Sequence, residues 1–333
     1  MSEQFDLLVI GAGPGGYVAA RRAAQLGLKT ALVEKDDRLG GTCLLRGCIP
    51  TKALIHAAEV WQMCSKGARS FGVNVEGASF DWGKILKRKD MASTKGAKGI
   101  ELLMKNNEVT VIQGTGRLDG PGKVTVTQAE GSRQLIAEKI VLATGSTTAG
   151  LPRMVPDGKN ILNSDHLLVR ESVPASMVVL GAGAVGLELA TVMQSFGCQT
   201  TLVELMDQVL PLEDPECGAE VAKALKRLKM KVLTGHKALD VTVQEDGVQV
   251  ELQNVTDKTT QTVQAECLLV AVGRFPFSAL GKASILGEPH GFIKVIADSE
   301  TGRVLGVHMV GPRVTELIGE AVLAAAGRPV HGG

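Results

Sequence analysis

The sequence predicts an α/β protein made of two successive three-layer units, each with a parallel sheet, and three observations lead there. The first is an internal repeat. Leu7-Leu8-Val9-Ile10 runs into Gly11-Ala12-Gly13-Pro14-Gly15-Gly16, an Ala-rich helical stretch to Gly27 and a second apolar run ending at Glu34. Met177-Val178-Val179-Leu180 runs into Gly181-Ala182-Gly183-Ala184-Val185-Gly186, a helical stretch to Gly197 and a run ending at Glu204, at a constant offset of 170 residues. The second is composition: 44% of the 333 residues are hydrophobic and 40 are glycine, but only 10 are aromatic, as in an aliphatic core with many tight βα turns. The third is a set of apolar or alternating runs separated by glycines, which ends in Ala143-Thr144-Gly145.

Each repeat is a G-x-G-x-x-G that follows an apolar strand, opens a helix and ends in an acidic residue after the next strand. That context makes a weak motif a strong sign of a Rossmann-like dinucleotide site. Gly11 and Gly181 make the tight turn, Gly13 and Gly183 let backbone approach a pyrophosphate, and Gly16 and Gly186 allow close helix-to-strand packing. The phosphates then sit at the helix N-terminus. Glu34 and Glu204 are placed to accept hydrogen bonds from ribose hydroxyls. Glu204 would repel a 2′-phosphate and no Arg immediately follows it, so the second site favours NAD over NADP.

Taken in order, the first repeat covers Phe5 to about Glu34, and a cysteine-bearing helix is expected from near Thr42 to near Lys66. Asp81 to Asn107 has the length and charge spacing of a further helix. Val109 to Ile112, Lys123 to Gln128 and Leu135 to Leu142 read as strands. Residues 1–150 then form the first domain, and 151–175, with Pro152, Pro156 and Pro174, a crossover. Residues 176–274 form the second domain.

Cys43 and Cys48 lie in Gly40-Gly41-Thr42-Cys43-Leu44-Leu45-Arg46-Gly47-Cys48-Ile49-Pro50-Thr51-Lys52. A disulfide needs Cα atoms about 4.4 to 6.8 Å apart, while residues i and i+5 of a regular helix point about 140° apart. A bridge here requires a distorted turn. Gly47 permits unusual dihedrals, and Pro50 lacks the N–H that would bond the carbonyl of Arg46. A helix starting near Thr42 would favour a thiolate at Cys43 or Cys48, and Arg46 is expected to add to that. Two buried thiols, a structural bridge, or a zinc site with His56 or Cys64 are the competing interpretations. Zinc ligands, however, usually come as closer pairs.

Lys and Arg total 36 against 35 Asp and Glu, and no basic stripe is present, so there is no field to attract nucleic acid or an anionic membrane. No segment reaches 18 uninterrupted apolar residues and no leader pattern precedes Phe5, so a cytoplasmic protein is expected. Cys64, Cys198, Cys217 and Cys267 are scattered and are expected to be small buried hydrophobes.

These residues together resemble the pyridine nucleotide disulfide oxidoreductases. The Gly-Gly-Thr-Cys-Leu…Gly-Cys-Ile-Pro-Thr-Lys-Ala-Leu run is most similar to that of the dihydrolipoamide dehydrogenases, over residues 1 to 274. The resemblance implies FAD at the first fingerprint, NAD at the second, and a redox-active Cys43–Cys48 disulfide against the flavin. Cys43 would exchange with the substrate's sulfurs. Cys48 would contact the flavin and pair with it in charge transfer, and Lys52 would stand near the flavin, paired with Glu188. Gly11, Gly13, Gly15, Gly16, Glu34, Lys35, Gly41, Thr42, Lys52 and the Ala143-Thr144-Gly145 turn would hold FAD. Gly181, Gly183, Gly186, Glu204 and Gly273 would line the NAD site. The implied substrate is dihydrolipoamide, carried on a lipoyl domain of a 2-oxoacid dehydrogenase or glycine-cleavage complex, and the implied assembly is a homodimer.

The resemblance breaks after Ala271-Val272-Gly273-Arg274. Phe275 to Lys282 is similar to the middle of that family's α+β interface domain, so residues 275–326 are expected to be a partial interface domain followed by a tail, 327–333. This is the pattern of an internal deletion of more than a hundred residues. The strand ending in Gly-Asp that completes the FAD domain is missing, and His331 lacks the context of the family's catalytic base. An exposed sheet edge, loose flavin binding and weak or no lipoamide turnover are expected. A different disulfide reductase and an inactive nucleotide-binding remnant are the alternative functions.

Overall fold

The computed structural model describes residues 3–148 and 150–272, together with the backbone of two further strands, Phe292–Ala297 and Val304–Val310. The chain divides into two units, one formed by Met1–Thr148 with Ser164–Ser172 and the other by the rest.

In the first unit, strand β1 (Glu3–Ile10) is followed by helix α1 (Pro14–Gln25) and strand β2 (Thr30–Glu34). Pro14 at the head of α1 fits the first turn of a helix, where its missing N–H costs nothing. The predicted cysteine helix is broken into α2 (Gly41–Leu45) and α3 (Cys48–Gln62), and α3 runs on into a π-turn over Met63–Gly67. Helix α4 (Trp82–Asn106) agrees with the expected span, and the Asp81 side chain caps it by accepting from the Lys84 N–H at 3.0 Å.

Four strands follow: β3 (Thr110–Gln113), β4 (Thr115–Leu118), β5 (Lys123–Gln128) and β6 (Gly131–Leu142). The sheet order is β3-β2-β1-β6-β5-β4. Strand β4 went unseen in the sequence because Thr115-Gly116-Arg117-Leu118 has one strong apolar residue and a glycine.

Strand β6 serves two pairings. Gly131–Ile136 pairs antiparallel with β5, and Leu135–Leu142 pairs parallel with β1. Leu8 and Ile10 face one side of the sheet, against Val124, Val126 and Leu135. Val9 and Leu32 face the other, with Ala20, Ile100 and Met104 of α1 and α4. That alternation is the period-two signature of strands buried on both faces. Past Ile136, no strand pairs with the outer edge of β6 among the described residues, and Leu142 at its end is 59% exposed.

The segment between the repeats is structured rather than a plain crossover. It contributes strand β7 (Ile161–Leu162) to the second unit and helix α5 (Ser164–Leu168) to the first. Buried Lys89 of α4 donates to the Leu168 carbonyl at 2.7 Å and pairs with Asp90 at 2.8 Å, while Trp82 Nε1 donates to the Arg170 carbonyl at 2.9 Å. The cation thereby satisfies the negative end of a short helix.

The second unit repeats the theme with β8 (Ser176–Leu180), α6 (Ala184–Ser195), β9 (Gln199–Val203), α7 (Pro215–Arg227) and β10 (Lys231–Leu233). An antiparallel meander of β11 (His236–Gln244), β12 (Gly247–Asn254) and β13 (Thr260–Ala265) precedes β14 (Cys267–Val270). The parallel sheet runs β10-β9-β8-β14-β7, and Val178, Leu180, Val203, Leu268 and Val270 meet Val248, Val250 and Leu252 of the meander. The strands Phe292–Ala297 and Val304–Val310 pair antiparallel. Apart from these two strands, the expected partial interface domain and the tail with His331 lie outside the described residues.

Candidate functional site

The two fingerprint turns are built alike. Gly11 has φ +100° and Gly181 has φ +99°, the left-handed region that favours glycine. A Cβ on Gly16 would lie 1.7 Å from the Gly11 carbonyl oxygen, and one on Gly186 would lie 1.9 Å from that of Gly181. Helix and strand can approach this closely only without side chains. By contrast, a Cβ on Gly15 or Gly183 would meet nothing within 4 Å. Those glycines border open space at the head of a helix, room that suits a pyrophosphate.

Glu34 and Glu204 are both buried. One oxygen of Glu34 accepts the Ala12 N–H at 2.6 Å and the other accepts the Asp36 N–H at 3.0 Å. Glu204 repeats this with Ala182 at 2.7 Å and Met206 at 3.0 Å. Each carboxylate thus ties the glycine turn to the end of the second strand and keeps lone pairs for a ribose. The correspondence continues further along the chain. Gly40 N–H donates to the Ala12 carbonyl at 3.0 Å, and Leu210, 170 residues on, donates to the Ala182 carbonyl at 2.9 Å. A cavity of about 430 Å³ beside Glu34 is lined by Asp36, Asp37, Leu39, Lys105 and Val109, among others.

Around these turns stand the other expected cofactor residues. Ala143 caps the Gly11 turn through its N–H to the Ile10 carbonyl at 2.8 Å, with exposed Thr144 and Gly145 beyond. Ala271 does the same for Leu180 at 2.9 Å, a role the sequence left unassigned. Lys35 and Thr42 are exposed at the rim. Gly273 lies outside the described residues. Lys52 is on α3 in the first unit and Glu188 on α6 in the second.

Cys43 sits in α2, and Cys48 is the first residue of α3, at its positive end. Gly47 between the helices has φ −137° and ψ −110°, and a Cβ there would lie 2.9 Å from the Thr42 carbonyl oxygen. This break replaces a regular helix and turns both thiols to the same side. Both are half-buried and in hydrogen-bond contact. The contact with Cys48, burial and repulsion from Cys48 push the Cys43 thiol well above its usual range, while the Lys52 ammonium pulls it down. The expectation of a favoured thiolate at Cys43 is thereby corrected: a half-buried thiol bonded to Cys48 holds its proton, and a thiolate there beside a charged Cys48 would set two like charges side by side.

Arg46 is also corrected. Its guanidinium is held by the Asp36 carboxylate at 2.5 Å rather than offered to a thiolate. Cys198, Cys217 and Cys267 are buried as expected, whereas Cys64 is only half-buried in the π-turn. Among the described residues there is no group of three or more His, Cys, Asp or Glu side chains that could hold a metal ion.

The whole cysteine segment rests on the first fingerprint. Gly41, with φ +59°, packs so tightly that a Cβ on it would lie 2.6 Å from Gly13 Cα. Leu44, between the two thiols, presses on Gly40 and on Gly96 of α4, where an added Cβ would come within 2.5 Å of it.

Two dinucleotide turns, one carrying a dithiol, define a nucleotide-dependent redox protein. The chain belongs to the pyridine nucleotide-disulphide oxidoreductase family, whose model matches residues 5–326. Members of this family use FAD and NAD(H).

The chain is 33% identical to dihydrolipoyl dehydrogenase of Bacillus subtilis, covering 97% of this chain and 92% of the relative. That alignment has 438 positions against 333 residues here, so at least 105 positions of the relative have no counterpart within the matched span. It is 35% identical to the mitochondrial dihydrolipoyl dehydrogenase 1 of Arabidopsis thaliana, over 93% of this chain and 62% of the relative. Among solved structures it resembles LpdA of Mycobacterium tuberculosis, with TM-score 0.72, 25% identity and coverage of 83% of this chain and 60% of that one. It also resembles the Cu(II) complex of the flavoprotein disulfide reductase RclA of Escherichia coli, with TM-score 0.68, 25% identity and coverage of 84% and 58%. The chain thus spans about 60% of the length of these structures.

Proposed function

We propose that this chain is a flavin- and NAD-dependent disulfide oxidoreductase acting on dihydrolipoamide. The observation that carries the proposal is the Cys43–Cys48 dithiol standing on the first dinucleotide turn through the Gly41 to Gly13 contact. Open space at Gly15 and the carboxylate of Glu34 fit the ADP half of FAD, with the cavity beside Glu34 offered to its adenosine. Gly11, Gly13, Gly16, Ala143, Thr144 and Gly145 complete that site. Gly181, Gly183, Gly186 and Glu204 fit NAD. The Glu204 carboxylate and the side chains of Leu205 and Met206 after it give a 2′-phosphate no cation, so NAD is selected over NADP. Bound FAD would supply the path for an electron pair between a dithiol and NAD.

The chain's own residues do the sulfur chemistry. In the oxidised protein the Cys43–Cys48 bond is attacked by one sulfur of the substrate, giving a mixed disulfide at Cys43 and a thiolate at Cys48. The second substrate sulfur then displaces Cys43, so the substrate leaves as a cyclic disulfide and the protein holds a dithiol. Lys52, which lowers the proton affinity of Cys43, stabilises the charge that accumulates there. The relatives named dihydrolipoyl dehydrogenase support the substrate. A lipoyl domain would present it to a dimeric enzyme in the cytoplasm.

The purified chain is tested by colour, thiol counting and turnover. A yellow protein with one flavin per chain, two thiols gained on reduction and NAD-dependent oxidation of dihydrolipoamide is expected. The open edge of β6 predicts turnover well below that of a full-length relative. A colourless protein protected from unfolding by NAD alone would instead make it a nucleotide-binding remnant.

A further inference from the structure

The bond between Arg46 and Asp36 joins two parts of the first unit that the redox chemistry treats separately. Asp36 is a junction. Its N–H is held by Glu34, whose other oxygen holds the Ala12 N–H of the fingerprint turn. Its carbonyl accepts from Gln113 Nε2 at 3.3 Å at the end of β3. Its carboxylate, 19% exposed, grips Arg46 at 2.5 Å. Arg46 is the residue between α2 and α3, with its own N–H on the Thr42 carbonyl at 2.9 Å, and it lies between the two thiols in sequence. An unbroken chain of polar contacts therefore runs from the Ala12 N–H through Glu34 and Asp36 to the turn that sets the separation of Cys43 and Cys48.

The geometry points to Arg46 and Asp36 as a positioning pair that couples occupancy of the first nucleotide turn to the dithiol–disulfide equilibrium of Cys43 and Cys48. It rests on the nucleotide assignment of the first turn. The physical reason is the shape of the turn. Two thiols in hydrogen-bond contact must close to about 2.05 Å to bond, and the α2–α3 turn must hold its shape while they do. A ribose on Glu34 fixes that carboxylate, hence the Asp36 backbone, hence the anchor of Arg46. Arg46 is half-exposed and ion pairs at such sites are weak alone. Here the carboxylate is anchored at its backbone on both sides, so little entropy is lost in making the bond.

The test uses ADP, which has the ribose and pyrophosphate but no ring that could touch the sulfurs. The full chain, freed of flavin, is equilibrated in glutathione buffers. The reaction is protein dithiol plus glutathione disulfide giving protein disulfide plus two glutathione thiols, read by alkylation and mass. Saturating ADP is expected to shift this equilibrium about 5-fold toward the disulfide, the lower end of ordinary coupling. ADP should also bind the oxidised chain more tightly than the reduced one by the same factor. Arg46→Ala and Asp36→Ala should each abolish the shift, without adding in the double variant, and the exchanged pair R46D/D36R should restore part of it.

A purely electrostatic role would move the ADP-free equilibrium in opposite directions in the two single variants, and that result would overturn the positioning role. Binding of ADP with no shift in the wild-type chain, or an undiminished shift in Arg46→Ala, would also overturn it while leaving the nucleotide site intact. No ADP binding at all would sink the nucleotide assignment and the coupling with it.

Discussion

The two fingerprint turns are near copies, and what differs between them locates the chemistry. Glu34 and Glu204 hold their turns with matching hydrogen bonds, and Gly16 and Gly186 pack against their turns with matching closeness. They diverge at positions 40 and 210. Gly40, with φ +123°, has Leu44 where its side chain would be, and Gly41 brings the cysteine segment onto Gly13. Leu210, with φ +52°, keeps a side chain, and a Cβ on Gly183 would touch nothing. After Glu34 comes Asp36, wired to Arg46; after Glu204 comes exposed Met206. In the proposed function, nucleotide binding is thus the common part of the two units, and redox chemistry is the addition to one.

The largest effect that tests this division comes from the thiols. Cys43→Ser or Cys48→Ser should remove all reversible two-electron thiol chemistry, measured by alkylation after reduction and reoxidation, and should leave NAD affinity at the second turn unchanged. Residual disulfide formation at full yield in either variant would place the chemistry elsewhere.

The glycines come next. Gly16→Ala and Gly186→Ala each drive a methyl into a backbone carbonyl, a backbone clash of the kind that exceeds about 4 kcal/mol. Each should destroy one nucleotide site and spare the other. Gly41→Ala should damage only the first, through the contact with Gly13. Gly183→Ala should fold normally and weaken NAD at least 10-fold in calorimetry, because the space it fills belongs to the ligand. Unchanged NAD affinity in Gly183→Ala would show that the cradle is not where the phosphates sit.

Smaller effects follow at the acids. Glu34→Ala or Glu204→Ala leaves two backbone N–H groups unpaired, at about 1–3 kcal/mol for each one left buried, measurable as a denaturant-midpoint loss in either variant. The two losses should be similar, since the bonds are similar. A much larger loss for Glu34 would mean that Asp36 and Arg46 add cooperatively to the first turn.

The repeated turns were legible because their chemistry is local. A tight turn, a close approach and a helix start demand glycine at fixed spacing, and the capped helix from Asp81 announced itself by charge and length. Strand β4 was not legible, since Gly116 sits against Ile10 for reasons of packing that no period records. The link from Arg46 to Asp36 was equally hidden. It joins residues ten apart whose meeting depends on the break at Gly47, and Arg46 alone reads as a cation for a thiolate. Comparing positions 40 and 210 at the repeat offset adds a signal to the cysteines for where the units part, since a glycine facing a leucine there marks unequal neighbours.

The smallest expected effect is a dependence on alkaline pH confined to the first unit. In the folded reduced chain, Cys43 keeps its proton above the ordinary thiol value of 9.0, chiefly through its contact with Cys48. An unfolded cysteine loses its proton there. Above that pH the folded state therefore binds more protons than the unfolded state, and stability falls as pH rises. Replacing Cys48 with Ala removes both the hydrogen bond and the neighbouring charge, so Cys43 should titrate lower, react faster with iodoacetamide at pH about 9, and lose most of this alkaline slope, burial keeping the remainder. The oxidised chain, which has no thiol proton at either position, should lack the slope as well. Denaturant curves of reduced, oxidised and Cys48→Ala protein from about pH 8 to about pH 10, across the ordinary thiol range, separate these cases. Equal slopes in all three would mean that the contact with Cys48 does not hold the Cys43 proton, and that the first turn carries two independent thiols rather than one redox unit.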